Sequence, residues 1–132
     1  MAGGYPAKVD DSLKGYFYQP TVLVNARLGM RIMHEETFGP AVAIMAFNTE
    51  EEAIQIANDT RDGLAAYLFT CDADRVLRAA KRLEHGIIRA NDSQTFGLHV
   101  PFEEMKESGM GRENGAQGIE AFLKTQEVAI GL

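Results

Sequence analysis

The chemically richest stretch of the chain is Glu35-Glu36-Thr37-Phe38-Gly39-Pro40, where two carboxylates stand beside an aromatic ring and a chain-turning Gly-Pro, between two apolar runs. Taken alone, the doublet reads as solvated polarity ahead of a strand, because charged side chains mostly stay in water. Phe38 taken alone reads as a core aromatic.

Other reactive side chains form no recognisable catalytic set. Cys71 is the single cysteine, so it makes no internal disulfide, which fits a reducing compartment. It directly follows an apolar strand pattern and precedes Asp72, whose place at a helix start suits capping. His34, His85 and His99 lack metal-ligand spacing with each other or with acidic residues. Ser93 and Ser108 have no nucleophile-elbow pattern around them. Gly109, Gly111 and Gly115 have the wrong spacing for a dinucleotide fingerprint and follow no apolar strand, so they read as turn formers.

The elements that must position these residues alternate between strand and helix. Residues 1–15 are Gly-, Pro- and charge-rich without periodicity and read as a poorly ordered lead-in. Residues 16–24 are aromatic and β-branched, with Pro20 restricting the first half to an edge or bend. Ala41–Phe47 is a continuous apolar run, as in a strand buried on both faces. Thr49 and Glu52 form a capping-box pattern for a helix ending near Asn58. Leu64–Thr70 is a second strand. Asp72 caps the next helix, with Val76, Leu77, Ala80 and Leu83 as its apolar stripe, and Ile87–Ala90 is a third strand. The alternation and short connections predict an α/β fold, a three-layer parallel sheet with crossover helices. Asn91 to Gly115 lacks regularity, a helical turn or two follows at Gly118–Lys124, and Thr125–Leu132 alternates like a strand that could pair with another chain.

Composition excludes several classes. Hydrophobic residues make up 45% and charged residues 24% of the 132 positions, so neither disorder nor a membrane span is expected. The net charge of −6 and the dispersed basic residues argue against a nucleic-acid partner. The amino-terminal residues have neither the basic start nor the apolar core of a signal peptide, so a cytoplasmic location is expected.

The opening stretch, its Phe38-Gly39-Pro40 exit into a strand, and four later features occur in an order that resembles the C-terminal portion of the NAD(P)-dependent aldehyde dehydrogenases. Those features are Gly63-Leu64-Ala65-Ala66 with Phe69-Thr70, Asn91 at the end of the third strand, Pro101-Phe102, and Lys106 to Gly115. The resemblance covers about Gly15 to Leu132. It implies a partial catalytic domain over residues 16–124 and an oligomerisation strand over 125–132, hence a homo-oligomer. It also implies oxidation of an aldehyde to a carboxylate with NAD or NADP. Glu36 then matches the glutamate that accepts hydrogen bonds from the nicotinamide ribose, and Phe38 the aromatic against that ribose and the nicotinamide. Phe96 and Phe102 match positions lining the aldehyde tunnel, and Asp92 falls beside the nucleophile's expected location, where a carboxylate would disfavour anionic substrates.

The same resemblance implies that the catalytic cysteine and most of the nucleotide fold belong upstream of residue 1. No catalytic residue is assigned in the chain, Cys71 included, and the isolated chain is expected to be inactive. A non-catalytic α/β module that pairs through its C-terminal strand is the alternative expectation. Glu103 and Glu104 stand where the family usually has two glycines, which bears on the loop geometry and on the placement of Phe96 and Phe102.

Overall fold

The computed structural model describes residues 1–10, 12–93 and 97–131. The chain divides into two compact units, Met1–Ile56 and Ala57–Leu132.

In the first unit, strand β1 (Thr21–Val24) lies parallel to β2 (Ala41–Ile44), in register from Thr21 opposite Ala41 to Val24 opposite Ile44. β1 begins directly after Pro20, as the missing proline N–H requires. Residues 1–7 run antiparallel to residues 17–22: the Ala2 and Val22 backbones exchange hydrogen bonds of 3.0 and 2.9 Å, and the Thr21 hydroxyl accepts from the Gly4 N–H at 2.8 Å. Thr21 is one of the few buried residues in the chain, and its hydroxyl also donates to the Gln19 carbonyl. The apolar run of β2 alternates rather than burying both faces: Ala41 and Ala43 are half-buried while Val42 and Ile44 are exposed. A short 3₁₀ turn, Arg31–Met33, sits in the connection between the strands.

Helix α1 (Glu50–Asn58) starts where the capping pattern requires. The Thr49 hydroxyl accepts from the Glu52 N–H at 3.1 Å, and the Glu52 carboxylate accepts from the Asn48 N–H at 2.7 Å, one residue earlier than in the reciprocal capping box.

The second unit is built on β4 (Ala65–Leu68), α2 (Ala73–Ala80) and β5 (Ile87–Ala90), with β4 and β5 parallel and Ala65 opposite Ile87. Asp72 caps α2, accepting from the Arg75 N–H at 3.0 Å. The inward line of this helix is Val76 and Ala79, with Leu83 following beyond its end, while Leu77 and Ala80 are exposed. The expected stripe is thus displaced by one residue, because Leu77 projects about 100° away from Val76 around the axis.

The irregular stretch after Asn91 contains two short antiparallel pairings. β7 (Met105–Lys106) pairs with β3 (Asp62–Gly63), and β6 (Phe102–Glu103) pairs with β8 (Arg112–Glu113). Helix α3 spans Gly115–Glu120, three residues earlier than expected. Residues 125–131 have no regular element in the single chain, and Val128 and Ile130 are exposed.

Candidate functional site

The acidic doublet is split by its surroundings. Arg31 grips Glu35 with both arms of its guanidinium, Nε to Oε1 at 2.8 Å and Nη2 to Oε2 at 2.6 Å, across one turn of chain. That grip holds the Glu35 carboxyl below the usual carboxylate range. Glu36 is exposed and has no hydrogen-bond or ion-pair partner among the described residues. One carboxylate is committed to the fold, and its neighbour is left available as an acceptor.

Phe38 is 93% exposed on the loop entering β2, so it is not a core aromatic in this chain. It borders a groove of about 750 Å³ shared with Tyr16, Phe17, Ile32 and Pro40. A flat ring could lie against Phe38 while hydroxyl groups reach Glu36, two residues away in sequence. These residues fit the nicotinamide half of a dinucleotide, since they offer one unpartnered acceptor and one open aromatic face.

In the second unit the carboxyl ends of β4 and β5 are tied by Asn91. Its amide accepts from the Thr70 N–H at 2.9 Å and donates to the Thr70 carbonyl at 2.8 Å, while its own N–H reaches the Leu68 carbonyl at 2.8 Å. This geometry needs a left-handed backbone at Asn91, with φ of 56°, which asparagine tolerates better than most residues. Asn91 thereby sets where Cys71 and Asp92 leave the strands.

Cys71 is an exposed free thiol in a shallow depression lined by Thr70, Ala73, Val76, Leu77 and Asn91, none of which is a general base. Asp92 carries an ion pair to Arg89 at 3.9 Å. Phe102 is half-buried in β6 and shares a small cavity with Arg89. Phe96 lies outside the described residues.

Glu103 and Glu104 have no left-handed backbone; positive φ is carried instead by Lys106 and by the neighbouring glycines 109 and 111. Glu103 pairs with Arg112 in the β6–β8 ladder and receives its guanidinium, Nε to Oε2 at 3.1 Å and Nη2 to Oε1 at 3.3 Å. The close approach is supplied from the other side, by Gly86, where any Cβ would overlap the Glu103 carbonyl.

Residues 1–128 match the aldehyde dehydrogenase family. The chain belongs to that family. Among the relatives of this aldehyde dehydrogenase chain, succinate-semialdehyde dehydrogenase of Paenarthrobacter nicotinovorans is 42% identical over 130 residues, which are 98% of this chain and 28% of the relative. The 3-sulfolactaldehyde dehydrogenase of Pseudomonas putida is 40% identical over 120 residues, 91% of this chain and 25% of its own. A crystal structure of a double mutant of betaine aldehyde dehydrogenase from Staphylococcus aureus in complex with NAD+ superposes with a TM-score of 0.87 at 41% identity, covering 95% of this chain and 25% of that one. A lactaldehyde dehydrogenase structure gives a TM-score of 0.86 at 36% identity, over 94% of this chain and 25% of that one. The fold is therefore the aldehyde dehydrogenase catalytic-domain fold that the sequence pattern led us to expect. The chain spans about a quarter of the length of these relatives.

Sequence reasoning missed the pairing of Arg89 with Asp92 and the division of labour in the acidic doublet. A signal for the first was present, since Arg89 is the one charged residue within the strand Ile87-Ile88-Arg89-Ala90. A signal for the second was the four-residue spacing from Arg31 to Glu35.

Proposed function

We propose that the chain is part of an NAD(P)-dependent enzyme that oxidises an aldehyde to a carboxylate through a cysteine thioester, and that its own task is to position the cofactor and line the aldehyde pocket. NAD or NADP supplies the hydride acceptor. Glu36 accepts hydrogen bonds from the nicotinamide ribose, and Phe38 restricts the tilt of the nicotinamide ring, which fixes the geometry of the reacting carbon. Phe102, Phe96 and Asp92 belong to the aldehyde pocket, whose apolar walls exclude water from the thioester. The carrying observation is the split doublet, with Glu35 held by Arg31 and Glu36, two residues before an exposed Phe38 in sequence, left without a partner among the described residues.

No residue of the chain matches the family's nucleophilic cysteine or general base, so the chain alone is inactive. Its C-terminal segment, with Val128 71% and Ile130 79% exposed, pairs with another subunit. That segment would also serve a purely associative module, and the two readings separate on nucleotide binding.

The test is a titration of the chain with NAD+, read at the backbone amides of residues 36–39, beside an assay of NAD(P)H formation over an aldehyde panel. Saturable shifts confined to that loop, lost in Glu36→Ala, together with no turnover, are expected. Absence of saturable shifts would overturn the cofactor role and favour the associative module. Turnover abolished by Cys71→Ala would overturn the statement that the chain lacks its own nucleophile.

A further inference from the structure

We infer that Arg89 is an anion-reading residue of the aldehyde pocket, so that the substrate class is an aldehyde bearing a distal carboxylate. This rests on the assignment of Phe102 to the aldehyde pocket. Arg89 and Phe102 line one cavity of about 210 Å³, together with Ile87, Val100, Pro101 and Asn114, a size suited to a small head group rather than a whole substrate. Arg89 is the one charged side chain in that lining among the described residues. Its side chain is 27% exposed, and its Nε is buried without a hydrogen-bond partner. Buried donors are almost always paired, so one left unpaired marks a position held for something other than packing.

Asp92 is the only ion-pair partner of Arg89 among the described residues, at 3.9 Å from Nη1. That distance is beyond hydrogen-bond range, so the terminal nitrogens keep donor capacity for a planar carboxylate met end-on by the guanidinium fork. A bare carboxylate at Asp92 would repel an anion. With Arg89 beside it, an incoming carboxylate takes over a long ion pair, and Asp92 tunes affinity downward. Asn114, at the mouth of α3 with φ of 59°, spends no side-chain hydrogen bond on capping that helix.

The test uses the ¹⁵N-labelled 132-residue chain titrated with succinate, and separately with succinamide, at constant ionic strength to remove general screening. The Arg89 Nε–H and Phe102 amide resonances are followed. Succinate should produce saturable shifts at both, and succinamide none. Arg89→Met should abolish the succinate response, and Asp92→Asn should strengthen binding about three- to tenfold by removing the competing carboxylate. Equal responses to succinate and succinamide, an unchanged response in Arg89→Met, or weaker binding in Asp92→Asn would each overturn the inference. Should Arg89→Met lose its dispersed spectrum, Arg89→Lys, which keeps the charge but not the fork, must bind succinate more weakly than the parent chain. The NAD+ titration at residues 36–39 reads the cofactor role independently, so failure of one leaves the other standing.

Discussion

Asn91 holds Thr70 by both ends of its side-chain amide, so the exits of two neighbouring parallel strands are fixed by one residue. Removing that clamp costs two hydrogen bonds and leaves an alanine in a left-handed conformation. Asn91→Ala is expected to lower stability by about 1–3 kcal/mol, and Asn91→Gly by less because the backbone strain is relieved. Urea midpoints of the two variants check the order, and faster hydrogen exchange at Thr70 N–H checks the site.

Gly86→Ala should be the more damaging change despite adding a single methyl group. The overlapping atom is the Glu103 carbonyl, part of the backbone, and it can move only if the β6–β8 pairing shifts. A loss of about 3 kcal/mol is expected, at the upper end of overpacking costs. Thermal unfolding would measure it, and a loss below about 1 kcal/mol would mean that the Glu103 loop yields easily.

Helix capping gives two milder tests. Thr49→Ala and Asp72→Ala each remove the acceptor for an open helix N–H, at 3.1 and 3.0 Å respectively. Each should cost about 1 kcal/mol, with Asp72→Asn near neutral since asparagine caps equally well. Chemical denaturation of the three variants is sufficient.

His85 makes stability depend on pH. Its pKa is lowered from 6.5, first by desolvation and then by the positive charge of Lys106, with Glu84 opposing. The unfolded chain therefore binds a proton before the folded chain does. Stability from this group is complete above the unfolded value and is lost as pH falls from there through the folded value. His85→Gln should flatten the stability profile on the acid side of the ordinary histidine value of 6.5. The lowered carboxyls of Glu35 and Glu107, gripped by Arg31 and Arg61, hold their contribution above the ordinary carboxylate range and lose it only as pH falls below that range, so they leave the His85 window untouched. An unchanged slope in His85→Gln just below the ordinary histidine value would sink this account.

The sequence by itself determined the local events. Pro20 sets where β1 begins, Thr49 and Asp72 set where α1 and α2 begin, and the spacing of strand and helix patterns gives a parallel α/β fold. Each depends on φ restriction, caps or periodicity within a few residues, which a linear reading captures. The ordered motifs also led to the aldehyde dehydrogenase family, because their residue types and order survive without coordinates. Tertiary structure decided which member of each local set does what. It gave Glu35 to Arg31 and left Glu36 open, moved the inward line of α2 to Val76 and Ala79, and brought Arg89 to the cavity of Phe102. It also showed how glutamates are accommodated at 103 and 104: the room comes from Gly86, 17 residues upstream of Glu103, and the charge of Glu103 from Arg112. Apart from the Arg31–Glu35 pair, which is only four residues apart, these outcomes follow from contacts between segments separated in sequence, where volume and charge are matched through space and leave no periodic trace along the chain.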